Sequence, residues 1–503
     1  MKKSVLLALA LVGAVQCAGA AVVSGKVVDS DGRGVARVAV SDGKGITLTD
    51  DGGNYSLDTD KSCGYVFMVT PDGYEPAQSY VNRPKFWQLL TAPADKDERA
   101  DFKLKRTPDS RLAVITLADI QMGRITNDVS VFHAKTVPAV NATIDSLRRL
   151  GMEPVALTLG DESWDNYWHR TGYALPEAAA DQEAIDCMVY NVIGNHDHNP
   201  RVLGDEHASD TWRRIMGPNY YAFNRGGVHI VALDDIYYLN EGATEAQNGK
   251  RNYKNHLTDE QLAWLRKDLA LVPDTVPVIV AMHAPLFRDN GKYAMDNGAD
   301  LVAELERFHT VKVLTGHTHR SYAMANEAGN IRENNYGAVC GTWWRTDQPD
   351  FGNNSVCVDG TPSGYAIWTN NGGRLRGQYK GTEHEADYQF RVYDMNTLAD
   401  KEKNGILINV WGWAPGWKIE VMEKERPLKV ERMRSQDPFF IESCQKPQIS
   451  KGIKPTKASM SPNMFMAKAR KAKTPVTVKV TDADGRVYTQ TVERPRTVTT
   501  VMK

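Results

Sequence analysis

Five short stretches combine carboxylates, imidazoles and amides at the ends of apolar runs. They are Asp119-Ile120-Gln121, Gly160-Asp161, Gly194-Asn195-His196-Asp197, His283 and Gly316-His317-Thr318-His319. A sixth run ends at Asp234-Asp235. Carboxylate, imidazole and amide oxygen together suit borderline divalent ions such as Mn, Fe, Zn or Co. One carboxylate can bridge two ions, and two ions about 3.5–4 Å apart clamp a phosphoryl group and acidify a water between them. The resulting hydroxide attacks phosphorus in line, and a nearby imidazole protonates the leaving oxygen. His317 and His319 are spaced i, i+2, so both point to one side of an extended segment. Alone, each stretch is weak, because an Asp after a strand also caps turns. The ordered set carries the signal.

These residues need elements to position them. Leu112–Ala118, Val155–Leu159, Met188–Ile193, Val228–Leu233, Val276–Met282 and Val311–Leu314 are short, β-branched apolar runs that predict buried strands. Amphipathic stretches at about 131–150, about 177–186 and Thr258–Leu269 predict helices between them, with Thr258 as cap and Gln261 at the third position. Strand, helix, strand is α/β grammar, and sites in open α/β sheets form beyond the carboxyl ends of strands.

The flanks follow a different grammar. Residues 21–105 alternate loosely between turn signals such as Asp29-Ser30-Asp31-Gly32, Asp50-Asp51-Gly52-Gly53 and Pro71-Asp72-Gly73, as in a small β-sandwich. Beyond 345, candidate strands lie at Gly405–Val410, Trp417–Met422, Val476–Val480 and Arg486–Val492, with Asp482–Gly485 as a turn. The expected domains are therefore 21–105, 106–345 and 346–503. Lys451–Lys473, rich in Lys, Pro and Ser, is expected to be a solvated loop.

Lys2 and Lys3, the apolar run Val5–Val15 and Ala18-Gly19-Ala20 form a secretory signal peptide over 1–20. The chain is thus expected to be exported, periplasmic or secreted. Gln16 before Cys17 argues against a lipid anchor, and no stretch is long enough for a membrane span. Past residue 20, Cys63, Cys187, Cys340, Cys357 and Cys444 are too few for a disulfide framework, and only Cys340 and Cys357 are close in sequence. A net charge of −1 over 503 residues gives no support to a nucleic-acid polymer as partner. Oligomeric state is left open.

The order D-x-(H/Q)…G-D…G-N-H-D…H…G-H-T-H over residues 110–345 resembles the calcineurin-like metallophosphoesterases. The flanks resemble a bacterial subgroup with an N-terminal regulatory-like sandwich and a C-terminal β domain. The N-terminal part is similar to carboxypeptidase-regulatory-like modules. Asp359–Tyr365, Ala386–Gln389 and Val410–Trp413 are similar to the subgroup's C-terminal part. The resemblance implies a multidomain chain, with a central α/β four-layer β-sandwich between N-terminal and C-terminal all-β domains.

It also implies a metal-dependent phosphoric ester hydrolase with two divalent ions, Mn, Fe or Zn. A metal-bound hydroxide would attack a phosphate mono- or diester. Asp119, Gln121 and His319 would hold one ion, Asp161 would bridge, and Asn195, His283 and His317 would hold the other. His196 would act as acid, with Asp197 orienting its ring. Most of the family has His where Gln121 stands, and a carbonyl oxygen holds borderline metals less strongly than imidazole.

Two rival readings stand beside this one. A site weakened at Gln121 would leave a surface- or glycan-binding module, with Trp411, Trp413 and Trp417 as a platform or simply as cross-strand pairs. An extracytoplasmic nucleotide hydrolase would stack a base on Trp343 or Trp344, unless these only pack between domains. Asp165, His169, His198 and His207 lie near the site loops and are expected to be solvent-exposed or locally bonded.

Overall fold

A computed structural model describes residues 21–77, 82–107, 111–345, 355–398 and 402–499. The proposed signal peptide over 1–20, with Cys17, lies outside the described residues. Among the described residues no helix is long and apolar enough to cross a membrane.

The central part is a sandwich of two sheets. In the first, the order is Met188–Tyr190, Val155–Thr158, Ala113–Leu117, Gly364–Asn371, Arg374–Gly381. The first three run parallel and Gly364–Asn371 joins antiparallel. The second sheet has the order Tyr221–Arg225, Val228–Ala232, Val278–Ala281, Val311–Thr315, Ile331–Asn335, Tyr322–Ala325. Strands buried on both faces explain the continuous apolar runs. Val114 faces the second sheet, while Ala113, Ile115 and Leu117 face Val140, Ile144 and Leu147 of the helix Val137–Arg149. On the other side, Asp259–Leu269 buries Leu262, Trp264 and Leu265, and the Thr258 hydroxyl accepts from Gln261 N at 3.2 Å. The chain therefore has the four layers expected of it, helix, sheet, sheet and helix.

The span expected as the C-terminal domain, 346–503, also supplies two strands to the central sheet. Gly364–Asn371 and Arg374–Gly381 belong to the central sheet, paired on the free edge of Ala113–Leu117 from Ala113↔Thr369 to Thr116↔Ala366. Without a partner Ala113–Leu117 would be an open edge, and the chain returns to cover it.

The N-terminal part is a β-sandwich. Ala21–Val28 pairs with Asn54–Thr59, and each alternates buried with more exposed residues. The C-terminal part has two four-stranded sheets that share a core of Phe390, Ile406, Ile408, Phe465, Val476, Val478 and Val480. Lys451–Lys473 is not a loop throughout. Met460–Lys468 forms an inner strand between Gly405–Val410 and Val430–Gln436, with Met464, Phe465 and Ala467 buried. The lysines flank this apolar run and mask it in composition. Trp411 is core and donates to Tyr388 O at 3.0 Å, and Trp413 lies under Arg432 at 3.8 Å, so neither forms an open platform.

Candidate metal centre

Every expected ligand follows the carboxyl end of a strand. Asp119 and Gln121 follow Ala113–Leu117, Asp161 follows Val155–Thr158, and Asn195 follows Met188–Tyr190. His283 follows Val278–Ala281, and His317 and His319 follow Val311–Thr315. Past the strands the first two loops stay zipped, with Asp119 N on Gly160 O at 3.2 Å and Gln121 N on Asp161 O at 2.7 Å. Asp119, Gln121, Asp161, His317 and His319 all have left-handed backbone, with φ from 50° to 67°. Such residues cost about 1–3 kcal/mol each and persist where the surroundings over-determine them.

The motif glycines have a steric reason. A Cβ on Gly160, which itself has φ +83°, would stand 2.5 Å from His283 Nδ1. A Cβ on Gly194 would stand 2.2 Å from Asp161 N. The glycines let the loops converge.

The convergence is tight. His283 Nε2 lies 2.9 Å from Asn195 Oδ1, 3.0 Å from His317 Nδ1 and 3.3 Å from Asp161 Oδ1. Asp161, His283 and His317 bring ligand atoms within 4.8 Å of one another. On the other side His319 Nε2 is 3.4 Å from Asp119 Oδ1, and Gln121 Nε2 is 3.3 Å from Asp161 Oδ2. His283 Nδ1 meets Leu159 O at 2.8 Å and His319 Nδ1 meets Gly341 O at 2.9 Å. A carbonyl only accepts, so both Nδ1 atoms carry a proton and each ring turns its Nε2 inward. Two imidazole Nε2 atoms, an amide oxygen and carboxylates facing one another form a donor set that, once deprotonated, fits borderline divalent cations.

The neighbouring carboxylates favour protonated rings at His283 and His319, and a cation held there would take the place of those protons. Burial opposes a charged His283, but Asp161 beside it lifts the ring to about 10. Burial and the charge of His283 push His317 down to about 4. His196 is lifted by Asp161 and Asp165 against its burial. Of the nine expected site residues, only His196 and His317 are not fully buried, so they mark the rim.

The role expected of Asp197 is not what the structure shows. Its carboxylate accepts from the backbone N–H of Gly194, Glu162 and Ser163 at 2.9, 3.0 and 3.1 Å, so it ties two site loops together. His196 Nδ1 pairs instead with Asp165 Oδ1 at 2.6 Å, and that oxygen also accepts from Arg251 Nη1 at 3.0 Å. Asp165 is fully buried, not solvent-exposed, and its Oδ2 has no partner. Consecutive side chains diverge on the tight turn at 194–197, which takes Asp197 away from the ring. His198 is also buried, stacked on Tyr238 with centroids 4.8 Å apart. His207 is exposed and pairs with Asp210 at 3.2 Å.

Other neighbours carry no motif. Tyr253 OH is 3.2 Å from His317 Nε2, and Asp235 Oδ1 accepts from His283 N at 3.1 Å. Cys340 Sγ lies 3.6 Å from Gln121 Oε1 and 3.7 Å from His319 Nδ1. Cys340 and Cys357 are both free. Trp344 is buried and donates to Ile120 O at 3.0 Å, so it offers no face to a base, and Trp343 packs on His319 with centroids 4.7 Å apart. The acidic run at 234–235 and the pair Trp343-Trp344 stand out in the sequence, whereas Tyr253 and Cys340 come from loops whose approach to the site has no local pattern.

Family models match three consecutive stretches. The N terminal of calcineurin-like phosphoesterase matches residues 21–107, calcineurin-like phosphoesterase matches 114–321, and the C terminal of calcineurin-like phosphoesterase matches 333–488. The chain belongs to the calcineurin-like phosphoesterases. Members of this family are generally metal-dependent phosphoester hydrolases. Among solved structures, phosphopantetheinyl hydrolase of Mycobacterium tuberculosis is 13% identical over 46% of this phosphoesterase and 90% of its own chain, with TM-score 0.29. NAD nucleotidase of Haemophilus influenzae is 14% identical over 54% and 49%, with TM-score 0.28. Zinc-complexed Vps29 of Entamoeba histolytica is 11% identical over 54% and 99%, with TM-score 0.22. No curated protein matches this phosphoesterase.

Proposed function

We propose that the protein is an exported phosphoesterase that hydrolyses a phosphate mono- or diester at a two-metal centre. The observation that carries this reading is the meeting of Asp161 with Asn195, His283 and His317, beside Asp119 and His319, under a half-buried His196. Asp119, Gln121 and His319 would hold one ion, Asp161 both, and Asn195, His283 and His317 the other. Divalent ions held there supply charge neutralisation for a phosphoryl group and lower the pKa of water.

The chain's own residues do the rest. Asp165 fixes a proton on His196 Nδ1 and holds the ring at the rim. Nε2 is then the atom that carries a proton to the leaving oxygen. Arg251, bound to Asp165, adds positive charge beside that ring. Asp197 keeps the loops around Gly194 and Glu162 in register. The buried carboxylates and rings keep bulk water away from the reacting centre.

The test is turnover of p-nitrophenyl phosphate against bis(p-nitrophenyl) phosphate by Mn-loaded protein, with metal content assayed in parallel. Turnover of either ester, with loss of metal in Asn195→Ala and His283→Ala, supports the proposal. Full metal content and full turnover in both folded variants would sink it. Export rests on the residues at 2–20. Recovery of a mature chain beginning at Ala21 outside the cytoplasm supports it, and retention of the whole chain inside refutes it.

A further inference from the structure

The molecule holds a second concavity, away from the metal centre. A cavity of about 730 Å³ opens between the central sandwich and the C-terminal domain. Its walls come from the strands Val311–Thr315 and Ile331–Asn335, from Trp368 and Tyr379 of the opposite sheet, and from Trp417 and the turn at 482–486. It lies where the inter-sheet core ends. Lys312, on the strand Val311–Thr315, is five residues before His317 on the loop that follows, so the two sites are roughly 15 Å apart.

The charges lining the cavity are not balanced evenly. Arg374 pairs with Asp484 at 3.1 Å, and Arg486 pairs with Asp482 at 2.7 Å and Asp484 at 3.0 Å. Glu333 accepts from Leu286 N, Phe287 N and the Thr315 hydroxyl, all at 2.8 Å, and is fully used. Lys312 and Arg332 differ. They are direct cross-strand partners, and neither has a carboxylate within ion-pair distance among the described residues. Like charges opposite each other on a sheet repel. The Lys312 ammonium lies over the Trp368 ring, with its centroid 5.8 Å away. Burial and Arg332 push the Lys312 amine down to about 8. Asp484 opposes that shift from beyond ion-pair distance, so the half-buried ammonium has no paired anion, which is costly, and an arriving anion would relieve it beside the exposed Arg332, whose Nε donates to Gly329 O at 3.0 Å.

The remaining walls are aromatic. Tyr336, Trp368 and Tyr379 close the base, and the half-buried Trp417 stands at the mouth on a turn closed by its N–H to Ala414 O at 3.1 Å. A volume of this size, at a domain junction, with apolar walls and a few convergent polar groups, has the make-up of a small-molecule site. Two cations suit a single acidic group and not a polyanion.

We infer that this interdomain cleft binds a small organic anion, one carboxylate or phosphate on a flat ring, with the acid on Lys312 and Arg332 and the ring against Trp417. The inference does not depend on the proposed hydrolysis.

The experiment is calorimetric titration of the full chain with 2-naphthoate, with 2-naphthylmethanol as the neutral counterpart. Lys312→Met, Arg332→Gln and Trp417→Ala are run beside the parent, with their thermal transitions as a check on folding. The expected result is saturable binding of one 2-naphthoate, weakened about tenfold or more in Lys312→Met, as for loss of a charge-assisted contact. Binding should also weaken in Arg332→Gln, in Trp417→Ala and with the alcohol. Turnover of p-nitrophenyl phosphate should be kept in all three variants. Three results would overturn the inference: no saturable binding by the parent, equal affinity in the parent and a folded Lys312→Met, or equal affinity for acid and alcohol.

Discussion

Asp165 stands four residues from the expected ligand Asp161 and Asp197 is itself an expected site residue, yet the two do different work. Asp165 grips the His196 ring and Asp197 grips three backbone N–H groups. The two should separate on substitution. Asp165→Asn is expected to lower turnover about 10- to 100-fold, as for partners that orient an active ring, with metal content and melting temperature nearly unchanged. Asp197→Asn should lower melting temperature and metal content together. Assaying metal, melting and turnover on both variants decides this, and equal behaviour of the two would refute the assignment. Gly194→Ala tests the steric account of the loop. With a Cβ 2.2 Å from Asp161 N and 2.4 Å from its Oδ1, the loop must shift. Overpacking of this kind costs about 1–3 kcal/mol, read as a lower melting temperature and lost metal.

At the scale of elements, capping and buried acids make predictions that leave the metal centre aside. The Thr258 hydroxyl caps the helix Asp259–Leu269, which presents Trp264 to Phe67 of the N-terminal domain with centroids 5.9 Å apart. Thr258→Ala should cost about 1 kcal/mol in urea unfolding, whereas Thr258→Ser should cost little. Glu333, on an inner strand of the second sheet, anchors the loop at 286–287 and is lifted by burial to about 7. A carboxyl raised above its ordinary value binds its proton more tightly in the folded state. Its contribution to stability is therefore full below about pH 4.5 and is lost as pH rises through about 7. Glu333→Gln should flatten that part of the melting-temperature profile, and an unchanged profile would show that other groups set it.

At the scale of the whole molecule, the central sheet depends on chain far beyond its motifs. A chain ending at 345 would leave the whole edge of Ala113–Leu117 open, with Trp368 and Tyr379 missing from the inter-sheet core. It is expected to aggregate, since an open inner edge invites strand pairing with other molecules. A chain ending near 385 keeps Gly364–Asn371 and Arg374–Gly381 and should recover soluble, metal-binding protein. Sedimentation of the two chains measures the difference, and a monomeric chain ending at 345 would refute the account.

The α/β core and the approach of seven expected ligands, of four residue types, to one end of it were legible in the sequence, because both follow from local rules. Buried strands need continuous apolar runs, and a ligand at a strand end needs only to follow its run. Motif order also singled out Gly160 and Gly194, although their reason, the absence of space for a Cβ, is tertiary. What only the tertiary structure decided lies between segments distant in sequence. Asp165, not Asp197, meets His196 because a turn aims neighbouring side chains apart. Arg251, Tyr253 and Cys340 reach the site from loops that carry no pattern. Gly364–Asn371 pairs with Ala113–Leu117 across some 250 residues of chain, and Met460–Lys468 is buried despite its basic surroundings. Periodicity reports which face of an element is buried, and it holds no information on which distant element does the burying.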